Sequence, residues 1–143
     1  MVDVGGFQLH AILRGQGTPT VIFEPALRGC ALQYARIQSA VGTLTRVLAY
    51  DRAGQGWSDA GPNPRTPANL AAELQALLGK RDLHPPYVLV WHSFGGMLAR
   101  IYAGSHPEEV AGVILVDATH VDEYEPFPDI DKFVRQMRRG GAC

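Results

Sequence analysis

Ser93 stands where an apolar run stops and two glycines begin, in "VWHSFGG" at residues 90–96. A serine hydroxyl attacks a carbonyl only if it is exposed, has a base to take its proton, and has donors beside it for the oxyanion. A tight strand-to-helix turn supplies two of these conditions, because the hydroxyl projects from the turn and the helix N-terminus behind it offers N–H groups and a favourable dipole. Small residues at Gly95 and Gly96 let the helix return close to the strand. The competing reading is a polar residue at the end of a buried strand. The bases to choose from are the five histidines, His10, His84, His92, His106 and His120.

The choice depends on the elements that position them. Residues 7–14, "FQLHAILR", alternate like a half-buried strand, and "GQGTP" turns the chain into "TVIFEP", which predicts a hairpin. Residues 30–42 predict a helix with Leu32, Ala35, Ile37 and Val41 on its inner stripe and Gly42 at its end. "TRVLAYD" is a strand, and "RAGQGWSDAGPNPRT" is too rich in Gly and Pro to be anything but a loop. Thr66 and Pro67 read as an N-cap and first helical residue opening "PANLAAELQALLGK", and "HPP" sets the boundary before the strand "YVLVW". A helix follows Ser93 as far as Pro107, and "AGVILVD" is a last strand, apolar on both faces as buried parallel strands are. Residues 129–139 place Ile130, Phe133, Val134 and Met137 on one helical stripe.

Strands alternating with helices after the hairpin predict an α/β fold, a mostly parallel sheet with flanking helices. Ligands in such sheets sit beyond the carboxyl ends of the strands, which selects Pro25–Gly29, Asp51–Gly56, Trp91–Phe94 and Asp117–His120. The same rule sorts the histidines. His10 in the hairpin, His84 before a strand and His106 at a helix end are expected far from Ser93, and His92 points away from its neighbour. His120 alone leaves a carboxyl end beside Ser93, provided that the last two strands are neighbours. It is then either the base, oriented by Asp117 or Asp122, or a solvent-facing loop residue. Asp117 at a strand end is more often a structural hydrogen-bonding residue than a triad acid.

The segments "DRAGQGWSD" at 51–59 and "WHSFGG" at 91–96, with "PYVLV" before the second and "HPEEVAGVILVDATH" after it, resemble the α/β-hydrolase superfamily. The likeness is to the amino-terminal half of the esterase- and aminopeptidase-like members, and it covers nearly the whole chain. It implies Ser93 as nucleophile and an oxyanion hole from the N–H groups of Phe94 and Leu27, with hydrolysis through an acyl-enzyme and neither metal nor organic cofactor. It also implies a shortened fold, with the core in residues 1–120 and the start of a lid or covering helix in 121–143; the usual acid and histidine of the family lie in parts beyond these. The elbow pattern G-x-S-x-G has Trp91 at its first glycine, so an indole there either redirects the turn or fills part of the acyl pocket.

Composition narrows the partners. A formal net charge of -1 with 19% charged residues favours neither nucleic acid nor an anionic membrane. No apolar run reaches the roughly 20 residues of a bilayer span, and the start of the chain is not a secretory signal, so a cytoplasmic location is expected. Cys30 and Cys143 have no metal or redox spacing. "GQG" at 54–56 lacks the third glycine of a dinucleotide site. Asp51 and Arg52 are expected to tie their loop together, Arg52 by bidentate pairing. "VILV" as an uncovered sheet edge would pair with another chain, which predicts a homo-oligomer. The expected activity is hydrolysis of a small-molecule ester, and the alternative is a non-catalytic binding or assembly unit.

Overall fold

The computed structural model describes residues 1–118. Two short strands, β1 (Val2–Asp3) and β2 (Gln8–Leu9), pair antiparallel with each other. The main sheet is built from β3 (Ala11–Arg14), β4 (Thr20–Glu24), β5 (Val47–Tyr50), β6 (Tyr87–His92) and β7 (Val110–Val116), in the spatial order β3-β5-β4-β6-β7. Only β3 runs antiparallel to its neighbour. The sheet is therefore mostly parallel, as expected, but the hairpin is not formed: β5 lies between β3 and β4. Every residue of β4 is buried, so β4 needs a strand on each side, whereas the half-exposed residues of β3 suit an edge.

Alternation along the strands divides the core between two faces. Ile22, Leu48, Tyr50, Leu89 and Trp91 face α2 (Pro67–Lys80) and α3 (Gly95–Ser105), which contribute Leu70, Leu74, Leu77, Leu98 and Tyr102. Val21, Phe23, Val47 and Ala49 face the other side, where Ala31 closes the cluster. The Thr66 hydroxyl accepts the Asn69 N–H at 3.2 Å, which caps α2 as its sequence predicts.

The helix predicted over 30–42 is a single 3-10 turn, Ala31–Tyr34, followed by α1 (Ala35–Val41). Its inner face is also different from the expected stripe. Ala31 and Gln38 are buried, whereas Leu32 and Ile37 are more than half exposed. Gln38 enters with its Nε2 donating to the Ile12 carbonyl at 2.8 Å, which offsets part of the cost of burying an amide, while its Oε1 has no partner among the described residues. Beyond β6, β7 forms the far edge of the sheet among the described residues, and Val113, Ile114, Leu115 and Val116 are 41–52% exposed.

Candidate active site

All four parallel strands end on one side of the sheet, so the segments after Glu24, Tyr50, His92 and Val116 share one edge. Ser93 is the first residue beyond β6, and its φ is +52°, in the left-handed region. For a residue with a Cβ that conformation costs roughly 1 kcal/mol. The turn is held from both sides: the Ser93 N–H donates to the Val116 carbonyl of β7 at 3.3 Å, and its own carbonyl accepts the Gly96 N–H at 2.9 Å. Close approach of α3 to the sheet requires the glycine that follows, because a Cβ at Gly95 would lie 3.0 Å from Glu24 Cγ and 3.5 Å from Trp91 Cβ. The turn between β6 and α3 is thus tight, with Ser93 held in the left-handed region at its head.

Trp91 follows neither of the two expectations for it. The turn keeps its left-handed residue, and the indole is wholly buried in the core between the sheet and helices α2 and α3. Strand alternation explains this, since Trp91 shares its face with Leu89 and pairs in register with Glu24. The extra bulk is absorbed by the core, although the Nε1 donor finds no acceptor among the described residues.

The two N–H groups named for the oxyanion belong to Leu27, in the loop after β4, and Phe94, in the turn after β6. Neither has an acceptor among the described residues. The Leu27 loop is a tight turn closed by the Gly29 N–H on the Ala26 carbonyl at 2.9 Å, with Arg28 at φ +65°.

Beneath these turns lies a group of buried polar side chains. Glu24 is wholly buried and accepts from the Tyr50 hydroxyl and from Arg52 Nη1. Burial pushes the Glu24 carboxyl above its ordinary range, and the guanidinium and the phenol oppose that rise. Burial and the neighbouring carboxylate raise the Tyr50 phenol well above its usual value, so it remains a donor. Arg52 also donates to the carbonyls of Pro25 at 2.7 Å and Ala26 at 2.6 Å and to Gln55 Oε1 at 3.1 Å. It does tie the loops together, but through one carboxylate oxygen and two main-chain carbonyls and not by bidentate pairing. Asp51, also wholly buried, accepts from the N–H groups of Ala31 at 2.6 Å and Trp57 at 3.0 Å and from His10 Nδ1 at 2.8 Å. A cavity of about 380 Å³ opens beside Arg52, against Gln55, Arg65 and Leu70; Ser93 does not line it.

The histidines divide as follows. His84 pairs with exposed Asp82 at 3.1 Å, and His106 caps α3 with its ring 4.8 Å from that of Tyr102. His10 is far from Ser93, as expected, although it lies at the carboxyl edge. Because β3 is antiparallel, its start lies at the carboxyl edge, paired with Asp51, yet three strand positions from β6 leave it roughly 14 Å from Ser93. Strands β6 and β7 are neighbours, the condition on which His120 was selected. Asp117, at φ +45°, is exposed just beyond β7. His120, Asp122 and the stripe at 129–139 lie outside the described residues.

A family model described as the alpha/beta hydrolase fold matches residues 19–140. This chain is an α/β-hydrolase. Among solved structures, Est816, described as an N-acyl homoserine lactone degrading enzyme, superposes with a TM-score of 0.83 at 21% identity, over 95% of this chain and 52% of its own. A thermophilic esterase from Thermogutta terrifontis superposes at 0.81 with 24% identity, over 94% and 50%. A haloalkane dehalogenase from Sphingobium indicum is 30% identical over 99% of this chain and 49% of its own length. The chain spans less than half the length of the curated relatives it matches. Among the described residues no helix is long and apolar enough to cross a membrane.

The strain at the elbow is measurable. Ser93→Gly and Ser93→Ala remove the same hydroxyl, but only glycine relaxes at positive φ. In urea denaturation Ser93→Gly is expected to be more stable than Ser93→Ala by about 1 kcal/mol. Equal stabilities would show that the residue is not held left-handed.

Proposed function

We propose that this chain is a serine hydrolase acting on carboxylic esters through an acyl-enzyme on Ser93. The observation that supports it most is the left-handed serine between β6 and α3, with the unpartnered N–H of Phe94 next to it. Relatives of this fold include an esterase and a dehalogenase, so the fold does not choose the reaction. A hydroxyl on the turn after β6 suits acyl transfer, which supports the ester reading. Ser93 Oγ adds to the ester carbonyl while its proton passes to a base. The oxyanion is held by the N–H groups of Phe94 and Leu27, and the alcohol leaves with that proton, giving the acyl-enzyme. Water, deprotonated by the same base, then releases the acid and restores the serine. His120 is the proposed base, oriented by Asp117, because its segment follows β7, the neighbour of β6.

A small activated ester such as a p-nitrophenyl ester tests the assignment. Members of a nucleophile–base unit fail together, so Ser93→Ala and His120→Ala should each lower kcat by about 10⁴-fold or more. Full activity in His120→Ala would reject the base alone. Equal background hydrolysis in wild type and Ser93→Ala would reject the enzyme. It would favour the second reading, a non-catalytic binding unit.

The exposed β7 edge extends the proposal to assembly. Its sequence, "VAGVILV", has no charge or proline to discourage pairing, so a second copy is expected there. Sedimentation at micromolar concentration should show a dimer or larger species, and a clean monomer would exclude it.

A further inference from the structure

We infer that Arg52 is a positioning residue that holds the two oxyanion donors in one fixed geometry, with Glu24 as its buried anchor. The inference rests on the reading of Ser93 as nucleophile. A trans peptide unit is planar, with its C=O and N–H pointing opposite ways. The carbonyl of Ala26 and the N–H of Leu27 belong to one such unit. Arg52 Nη2 donates to that carbonyl at 2.6 Å, and Nη1 donates to the preceding carbonyl, of Pro25, at 2.7 Å. Gripping two successive carbonyls fixes the plane of the peptide, and so directs the Leu27 N–H away from the guanidinium. A cation on the carbonyl also polarises the unit and strengthens its N–H as a donor.

The same group also contacts the residue that carries the second donor. The guanidinium carbon lies 5.5 Å from the centroid of the Phe94 ring, within cation–π range. Phe94 is the residue whose N–H is the other donor. Arg52 therefore touches both the loop after β4 and the turn after β6, which sequence separates by some 65 residues. The guanidinium itself cannot drift. It is 3% exposed and paired with Glu24, whose second oxygen is taken by the Tyr50 hydroxyl and whose main-chain carbonyl accepts the Tyr34 hydroxyl at 2.9 Å. A lysine has the charge but not the planar fork needed for two carbonyls, a carboxylate and a ring at once.

The decisive variant is Arg52→Lys in the full chain, read in two independent ways. Ester turnover should lose about 10- to 100-fold in kcat with KM changed less than about 3-fold, because an oxyanion exists only in the transition state. A wild-type kcat in an active enzyme would overturn the inference. The amide resonances of Leu27 and Phe94 decide the matter even if the wild type turns over no ester. Both should shift in Arg52→Lys, with faster hydrogen exchange at Leu27, while the Leu89 amide in the centre of β6 stays in place. Unmoved Leu27 and Phe94 amides would overturn the clamp whatever the activity, whereas moved amides in an inactive wild type would uphold it and reject only the nucleophile. If Arg52→Lys does not fold, Glu24→Gln, which keeps the shape and loses the anchoring charge, is read by the same amides.

Discussion

The buried ion pair between Glu24 and Arg52 is the interaction on which the carboxyl edge of this sheet depends. An isolated charge in that place would be prohibitive, and removing one partner of such a pair costs about 3–5 kcal/mol. Against a total stability of about 5–15 kcal/mol for a domain, that is a large share. The pair survives burial because both carboxylate oxygens and both terminal guanidinium nitrogens are hydrogen-bonded. Tyr50 takes one carboxylate oxygen and Arg52 Nη1 the other, and Nη1 and Nη2 also donate to main-chain carbonyls and Gln55. The loops after β4 and β5, remote in sequence, are thereby tied together, and the same guanidinium lies 5.5 Å from the Phe94 ring in the turn after β6. Asp51 does for the loop 51–59 what Glu24 does beneath the elbow, with each acceptor site occupied by an N–H or an imidazole.

The elbow is where this rigidity is spent. A serine at φ +52° is unfavourable by itself, and it persists because β7, α3 and Gly95 leave no other path for the chain. Among the described residues the same geometry leaves the Phe94 N–H without an acceptor at the start of α3, where a negative charge is favoured. Strain and the unpartnered donor arise from one turn.

Much of this was legible in the sequence because it depends on local chemistry. Thr66 and Pro67 start α2, Gly95 and Gly96 follow the turn, and the continuous apolar runs of β4 and β7 mark parallel strands. What escaped depends on partners distant in the chain. The hairpin reading failed because adjacency in sequence cannot reveal that β5 inserts between β3 and β4. The inner face of α1 was misassigned because Gln38 is buried by a bond to Ile12, 26 residues away, which a hydrophobic pattern does not register. Glu24 gave no signal as a lone acid ending a strand, and only the fold brings it to Tyr50 and Arg52. Trp91 looked disruptive by motif but not by strand alternation, which sends the indole into the core.

The central claim, that Ser93 is an activated nucleophile, is tested most directly by intact-mass analysis after reaction with a fluorophosphonate, because the probe reports activation without requiring the right ester. One adduct per chain, absent in Ser93→Ala, is the expected result. No adduct on the wild-type chain, or an adduct that persists in Ser93→Ala, would contradict it.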